Sequence, residues 1–190
     1  MRYARQILAG LILVGVIVLL FVLIFKGFRS NQSTPIKQTD LVTYANTGAV
    51  AEFYIDGPIN LDQDHRTVKI AVSQNQTQIQ VVQGYQGSVI QSESFPNNTE
   101  SYAVFLQALK NLNFAKGNTS AALGDERGYC ADGARYIYRF TNSGDTLFRY
   151  WSTSCGQGTF GGNRQAVRRL FERQVPEKTF NQLTNGISLS

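Results

Sequence analysis

CADGARYIYRFTNSGDTLFRYWSTSC, residues 130–155, is the stretch that decides the fold. Apolar and polar residues alternate along 134–141 and again along 146–153, which is the pattern of a half-buried β-strand. Between these two segments, residues 142–145 (Asn-Ser-Gly-Asp) have a composition typical of hairpin turns. The sequence therefore predicts an antiparallel hairpin here.

The only cysteines of the chain, Cys130 and Cys155, stand at the two ends of this stretch. Opposed residues in an antiparallel hairpin keep a constant sum of residue numbers, so the two cysteines should lie opposite one another or within one ladder step. A disulfide needs Cα atoms about 4.4–6.8 Å apart, which this arrangement supplies. We predict a structural disulfide and, because disulfides persist in oxidising compartments, a domain outside the cytoplasm.

A catalytic thiolate at Cys155 is the alternative interpretation. Cys155 followed by Arg164 resembles the pattern of sortase-like transpeptidases, which also carry an amino-terminal anchor. That chemistry needs a helper histidine, and the sequence has only His65, in a polar turn. We expect His65 to be an exposed loop residue and Arg164 to begin a helix, so no catalytic residue is assigned.

Helical patterns flank the hairpin on both sides. Before it, apolar residues recur at helical spacing from Tyr102 to Leu112, with Asn98 or Thr99 as the N-cap and Gly117 as a stop. This apolar stripe predicts a helix that lies on a sheet.

After the hairpin, the glycine-rich segment 156–162 is expected to turn the chain sharply into a helix rather than to hold a phosphate. Asn163 can cap that helix, and Pro176 should end it. A last short helix is expected from Pro176, burying Phe180 and stopping at Gly186.

Residues 49–95 predict a β-meander, because short alternating segments are separated by turn-forming residues. Together with the helices and the hairpin, the meander indicates an α+β domain with an antiparallel sheet. The four predicted strands are Ala49–Ile55, Thr67–Ser73, Thr77–Val82 and Ser88–Phe95.

The two faces of the predicted hairpin differ in composition. The face expected to share its side with the cysteines, and so to be core, carries Tyr136, Tyr138, Phe140, Leu147, Arg149 and Trp151. The face expected to be open carries Arg135, Ile137, Arg139, Phe148, Tyr150 and Ser152. Arginine beside aromatic rings suits contact with a glycan or an anionic polymer, so Arg135, Arg139 and Tyr150 are the candidate ligand-binding residues.

The formal charge of +5 arises mainly near the amino terminus, where five of the 18 basic residues lie before residue 41. From Leu41 onward there are 13 basic and 12 acidic residues, so nucleic acid is not an expected partner. Residues 127–190 nevertheless carry nine of the 13 basic residues. No cofactor and no metal site is expected, because no ligand spacing supports one.

Residues 7–25 (ILAGLILVGVIVLLFVLIF) contain no charged residue over nineteen positions, enough to span a bilayer. We predict an uncleaved membrane anchor over 1–29, a linker over 30–40 and an extracytoplasmic domain over 41–190. Flanking basic residues are balanced, so the orientation rests on the disulfide argument. It places the amino terminus in the cytoplasm and the domain outside the cell membrane, which the chain crosses once.

Three segments carry a resemblance to other proteins: 83–87 (QGYQG), 128–136 (GYCADGARY) and 151–160 (WSTSCGQGTF). They resemble single-anchor envelope proteins of small-genome candidate-phylum bacteria, a likeness that implies no activity. The sequence hypothesis is an anchored domain that binds an envelope polymer or a protein partner, or supports an envelope assembly. The alternatives are the thiol enzyme at Cys155 and a membrane-tethered protease inhibitor.

Overall fold

The computed structural model describes residues 40–188, except for the side chain of Ala122. Within this range the chain forms six β-strands, three α-helices and two short 3-10 helices. The predicted anchor 1–29 with its helix 7–25, and the linker up to residue 39, lie outside the described residues. Between residues 40 and 188, no helix has the length and apolarity needed to span a bilayer.

One six-stranded antiparallel sheet organises the described chain. Its strands are β1 (Val50–Asp56), β2 (Arg66–Ser73), β3 (Gln76–Gln83), β4 (Ser88–Pro96), β5 (Arg135–Asn142) and β6 (Asp145–Thr153). The spatial order is β4-β3-β2-β1-β5-β6, so the meander and the hairpin meet where β5 pairs with β1. The predicted α+β class is confirmed.

Three helices cover one face of this sheet, which we call the covered face. They are α1 (Thr99–Asn111), α2 (Arg164–Glu172) and α3 (Glu177–Thr184). The predicted caps are confirmed, because the Asn98 side chain accepts from Ser101 N at 2.8 Å and the Asn163 side chain accepts from Ala166 N at 3.1 Å.

The core lies between the helices and the covered face, and aromatic rings dominate it. Phe171 of α2 lies 5.5 Å from Phe53 of β1, 5.2 Å from Phe105 of α1 and 5.7 Å from Phe114, measured between ring centroids. All four residues are almost completely buried. Large rings supply much apolar area per residue, so this cluster accounts for a large part of the burial that stabilises the domain.

The predicted disulfide is confirmed, since Cys130 and Cys155 are bonded with Cα atoms 5.7 Å apart. The predicted sides of β6 are wrong. The register shifts between Phe140 and Thr141, because Phe140 pairs with Phe148 while Thr141 pairs with Thr146. This β-bulge leaves Leu147 as an extra residue in β6 and exchanges the two faces of the strand beyond it.

After the bulge, Tyr150 lies on the covered face opposite Tyr138, and Arg149 lies on the other face opposite Arg139. The expectation that the core includes Leu147, Arg149 and Trp151 is therefore wrong, since none of the three lies in the helix-covered core. The prediction assumed a hairpin without a bulge, and one extra residue is enough to move every later side chain of β6 to the opposite face.

The glycine-rich segment 156–162 forms a turn, as expected. Its amides are used inside the protein: the N–H groups of Thr159 and Phe160 donate to Trp151 O at 2.8 and 2.9 Å, and Gly161 N–H donates to Lys116 O at 2.8 Å. Gly158 packs against the backbone of Trp151 and Ser152, where a Cβ atom would clash with the carbonyl oxygen of Trp151. These amides are not directed at a ligand.

Candidate ligand-binding cleft

The face of the sheet opposite the helices, which we call the open face, carries side chains in rows set by the strand register. The central strand β1 contributes Glu52, Tyr54 and Asp56. The first row is Arg149, Arg139 and Glu52; the second is Trp151, Ile137, Tyr54 and Lys69; the third is Arg135, Asp56, Thr67 and Val82. Charged, aromatic and hydroxyl groups thus alternate over the middle of the sheet.

The three candidate residues from the sequence are not brought together. Arg139 lies on the open face with about a third of its side chain exposed. Arg135 shares that face but is only 3% exposed, and Tyr150 is 2% exposed on the covered face. The prediction that Tyr150 shares a face with the two arginines is therefore wrong, because the bulge in β6 reverses its side.

Glu52 is the buried centre of the first charge cluster. It pairs with Arg139 on one side and with Lys69 on the other, where Lys69 Nζ lies 2.8 Å from Glu52 Oε1. Burial alone would raise the pKa of Glu52, but hydrogen bonds and charge from Arg139 and Lys69 outweigh it and lower the pKa. Lys69 and Arg139 also lie over the Tyr54 ring, at 5.5 and 5.4 Å from its centroid.

Asp56 is the centre of the second charge cluster. Its carboxylate accepts from Thr67 Oγ1 at 2.7 Å, lies 2.8 Å from His65 Nε2, and lies 2.8 Å from Arg135 Nε in an ion pair. His65 Nδ1 lies 3.1 Å from Pro58 O. The expectation that His65 is an exposed loop residue is wrong, since only 2% of it is exposed. The loop after β1 folds back and buries the ring beside Asp56.

Tyr85, in the turn between β3 and β4, is an exposed aromatic residue held by four interactions. Its ring stacks on His65 with centroids 4.2 Å apart. Its hydroxyl donates to Asn60 O at 2.9 Å and accepts from Asn60 N at 3.1 Å, and its backbone N–H donates to Asp62 Oδ1 at 2.8 Å. Although 52% of Tyr85 is exposed, its ring is therefore fixed in place.

The loop after α1 covers the hairpin end of the open face. Trp151 is only 1% exposed because its Nε1 donates to Leu123 O at 2.6 Å and the Tyr129 ring lies 4.9 Å from its own. The disulfide from Cys130 ties this loop to the end of β6.

The same loop brings two further ion pairs to the open face. Arg149 donates to both carboxylate oxygens of Glu126 at 2.6 Å. Arg127, which is fully solvated, donates from Nε to Asp125 Oδ2 at 2.6 Å and lowers the pKa of Asp125 to about 2. Each of these arginines therefore has a carboxylate partner of its own.

Together these groups line a cleft of about 350 Å³ on the open face. We call it the open-face cleft. The turn around Tyr85 lines one part of the cleft, and the loop at Glu126 and Arg127 lines another. The central strands form its floor. Its lining residues are Tyr54, Asp56, His65, Thr67, Val82, Gly84, Tyr85, Gly87, Glu126, Arg127, Ile137, Arg139 and Arg149.

The cleft offers side chains that can form hydrogen bonds, ion pairs and ring stacking. Both His65 nitrogens lie within hydrogen-bond distance of protein acceptors, so neither faces a substrate. Both cysteine sulfurs are consumed by the disulfide, which removes the thiol that the sortase-like alternative needs. Among residues 40–188, no set of three or more His, Cys, Asp or Glu side chains is grouped as a metal site.

Sequence reasoning missed Asp56, His65 and Tyr85. The signal that could have found Asp56 and His65 is the pairing of β1 with β2, which sets Asp56 opposite Thr67 and so brings His65, two residues before Thr67, back to the end of β1. Tyr85 carried no signal of this kind, because its place depends on how the loop 57–65 folds.

Searches against protein-family models, curated proteins and solved structures find no match for this chain. The likeness to single-anchor envelope proteins therefore remains a prediction.

Proposed function

We propose that this chain is a membrane-anchored, extracytoplasmic binding domain that holds an envelope component in the open-face cleft and carries out no catalysis of its own. The observation that carries the proposal is the cleft itself: a fixed, half-exposed Tyr85 beside arginines that are each held by a carboxylate. Such an arrangement is built to recognise a ligand, because the groups that meet the ligand lose little freedom on binding.

Membrane attachment is part of this proposal and rests on the apolar run 7–25 in the sequence. The disulfide supports placement of the domain in an oxidising compartment. The native protein should stay in the membrane pellet through an alkaline wash and keep its first residues. Recovery of a soluble form that begins near Ser30 would contradict this part.

Retention of the full chain on isolated envelope fractions tests binding at the cleft, using two matched substitutions. Arg127→Ala changes an exposed arginine of the cleft, and Arg173→Ala changes an exposed arginine at the end of α2 on the covered side. We expect Arg127→Ala to weaken retention severalfold and Arg173→Ala to leave it at the parent level. Equal retention by the two variants, or none by the parent, would contradict the proposal.

A further inference from the structure

We propose that the ligand of the open-face cleft is an uncharged, hydroxyl-rich saccharide, one ring of which stacks on Tyr85. This inference rests on the proposed binding function and adds the chemical class of the ligand. Three features of the cleft support it: the fixed ring, the neutralised charges and the absence of a free backbone edge at its floor.

The first feature is the fixed ring of Tyr85. Exposed tyrosines usually turn freely, but here stacking on His65 and two hydrogen bonds to Asn60 hold the ring. The C–H groups on one side of a sugar ring form an apolar surface that packs on an aromatic face. A ring already held in one orientation receives that surface without losing rotamer freedom.

The second feature is the pairing of charges around the cleft. Arg139 is paired with Glu52, Arg149 with Glu126, and Arg127 with Asp125. An anionic polymer would have to compete with these carboxylates for the guanidinium groups. A sugar hydroxyl both donates and accepts, so neighbouring hydroxyls can bond to a carboxylate and a guanidinium at once without breaking the pair.

The third feature is the position of the cleft over central strands. Tyr54 and Asp56 belong to β1, which is paired with β2 on one side and with β5 on the other. The backbone N–H and C=O groups under the cleft are therefore used within the sheet. An extended peptide, which binds by adding a strand to a free edge, finds no edge here.

The test measures binding of soluble probes to the full chain, purified in a detergent without a sugar headgroup. The neutral probes are oligomers of glucose, of mannose and of N-acetylglucosamine; the anionic probes are polygalacturonate and dextran sulfate. At least one neutral oligomer should bind by calorimetry, with an affinity that does not change with salt. Binding of an anionic polymer instead, weakening as salt rises, would overturn the inference while leaving the proposed function intact.

Variants of Tyr85 locate the contact. Tyr85→Ala should weaken binding of the neutral oligomer by about tenfold or more, because the stacked contact is lost. Tyr85→Phe keeps the ring and its stacking on His65 but loses both hydrogen bonds to Asn60, so it should recover only part of the affinity that Tyr85→Ala loses. Leu147→Ala, a change on an exposed residue of β6 outside the cleft, is the control and should bind like the parent.

A second measurement covers the case in which Tyr85→Ala does not fold. In saturation-transfer NMR on the unchanged chain, irradiation of aromatic protons should reach the ring protons of the bound sugar. Failure of every neutral oligomer to bind, or binding without this transfer, would overturn the inference. If no soluble probe binds and the full chain is also not retained on envelope fractions, the proposed function fails as well.

Discussion

The covered and open faces belong to the same strands, yet they are held together by different forces. The covered face packs aromatic rings such as Phe53 and Tyr138 against three helices. Its side chains on β1, β2 and β3 are buried, whereas those on the edge strand β4 are mostly exposed. The open face carries Glu52, Asp56 and Arg139 in ion pairs around a cleft. Apolar burial contributes most to stability, whereas paired charges contribute little net energy but fix geometry. We therefore assign stability mainly to the covered face and propose that recognition belongs to the open face.

The largest loss of stability should follow a change on the covered face. Phe171→Ala removes a ring that contacts three other buried rings and should lower the free energy of unfolding by about 3–5 kcal/mol. Denaturant unfolding of the full chain measures this. Val104→Ala, on the exposed side of α1, is the control and should change little. A loss below about 1 kcal/mol for Phe171→Ala would mean that the ring cluster is not the main source of stability.

The disulfide ties the loop that covers Trp151, on the open face, to the end of β6. Cys155→Ser should lower the free energy of unfolding by about 2–5 kcal/mol. Reduction of the parent should reproduce the loss, which separates the missing bond from any effect of the serine. Two alkylatable thiols in the native parent would refute the pairing and would revive the thiol-enzyme alternative.

Glu52→Gln tests the central ion pairs of the open face and should cost about 1–3 kcal/mol at neutral pH. The pKa of Glu52 is lowered in the folded state from its ordinary value of 4.5. The stabilisation from its charge is therefore present above pH 4.5 and is lost as pH falls through the folded-state pKa. Unfolding free energies of parent and variant should converge in that acid range; a gap that stays constant with pH would contradict the role of the charge.

The smallest effect on stability is expected at the rim of the cleft. Arg127 is solvated and its pairing with Asp125 is local, so Arg127→Ala should not measurably move the thermal midpoint. We expect Arg127→Ala to affect binding only. A clear drop in the midpoint would mean that the loop at Arg127 supports the fold, and that weaker envelope retention by this variant reports unfolding.

Strand and helix positions could be predicted from the sequence, because the alternation of apolar and polar residues and the helix-capping residues are local signals. Asn98 and Asn163 cap helices as expected, and the predicted meander strands agree with β1 to β4 to within a residue or two. The cysteine pairing could also be predicted. It survives the register shift because both cysteines lie beyond the paired ends of β5 and β6, in loop backbone that brings them together.

The faces of β6 and the cleft could not be predicted, because both depend on non-local packing. The bulge at Leu147 changes which side every later residue of β6 occupies, and no residue there marks it. His65 becomes buried only because the loop 57–65 returns to Asp56 and because Tyr85, some twenty positions later, stacks on it. The sequence predicted that arginine and aromatic side chains on one face contact a ligand, but it wrongly placed Tyr150 on that face.

Side-chain footprinting of the full chain, with and without bound envelope fraction, tests the division between the two faces most directly. Oxidation of exposed side chains is read by mass spectrometry at each residue. We expect protection at Tyr85, on the open face, and unchanged oxidation at Val104, on the exposed side of α1. Protection of Val104 with Tyr85 unchanged would contradict it and would move the binding surface to the covered side.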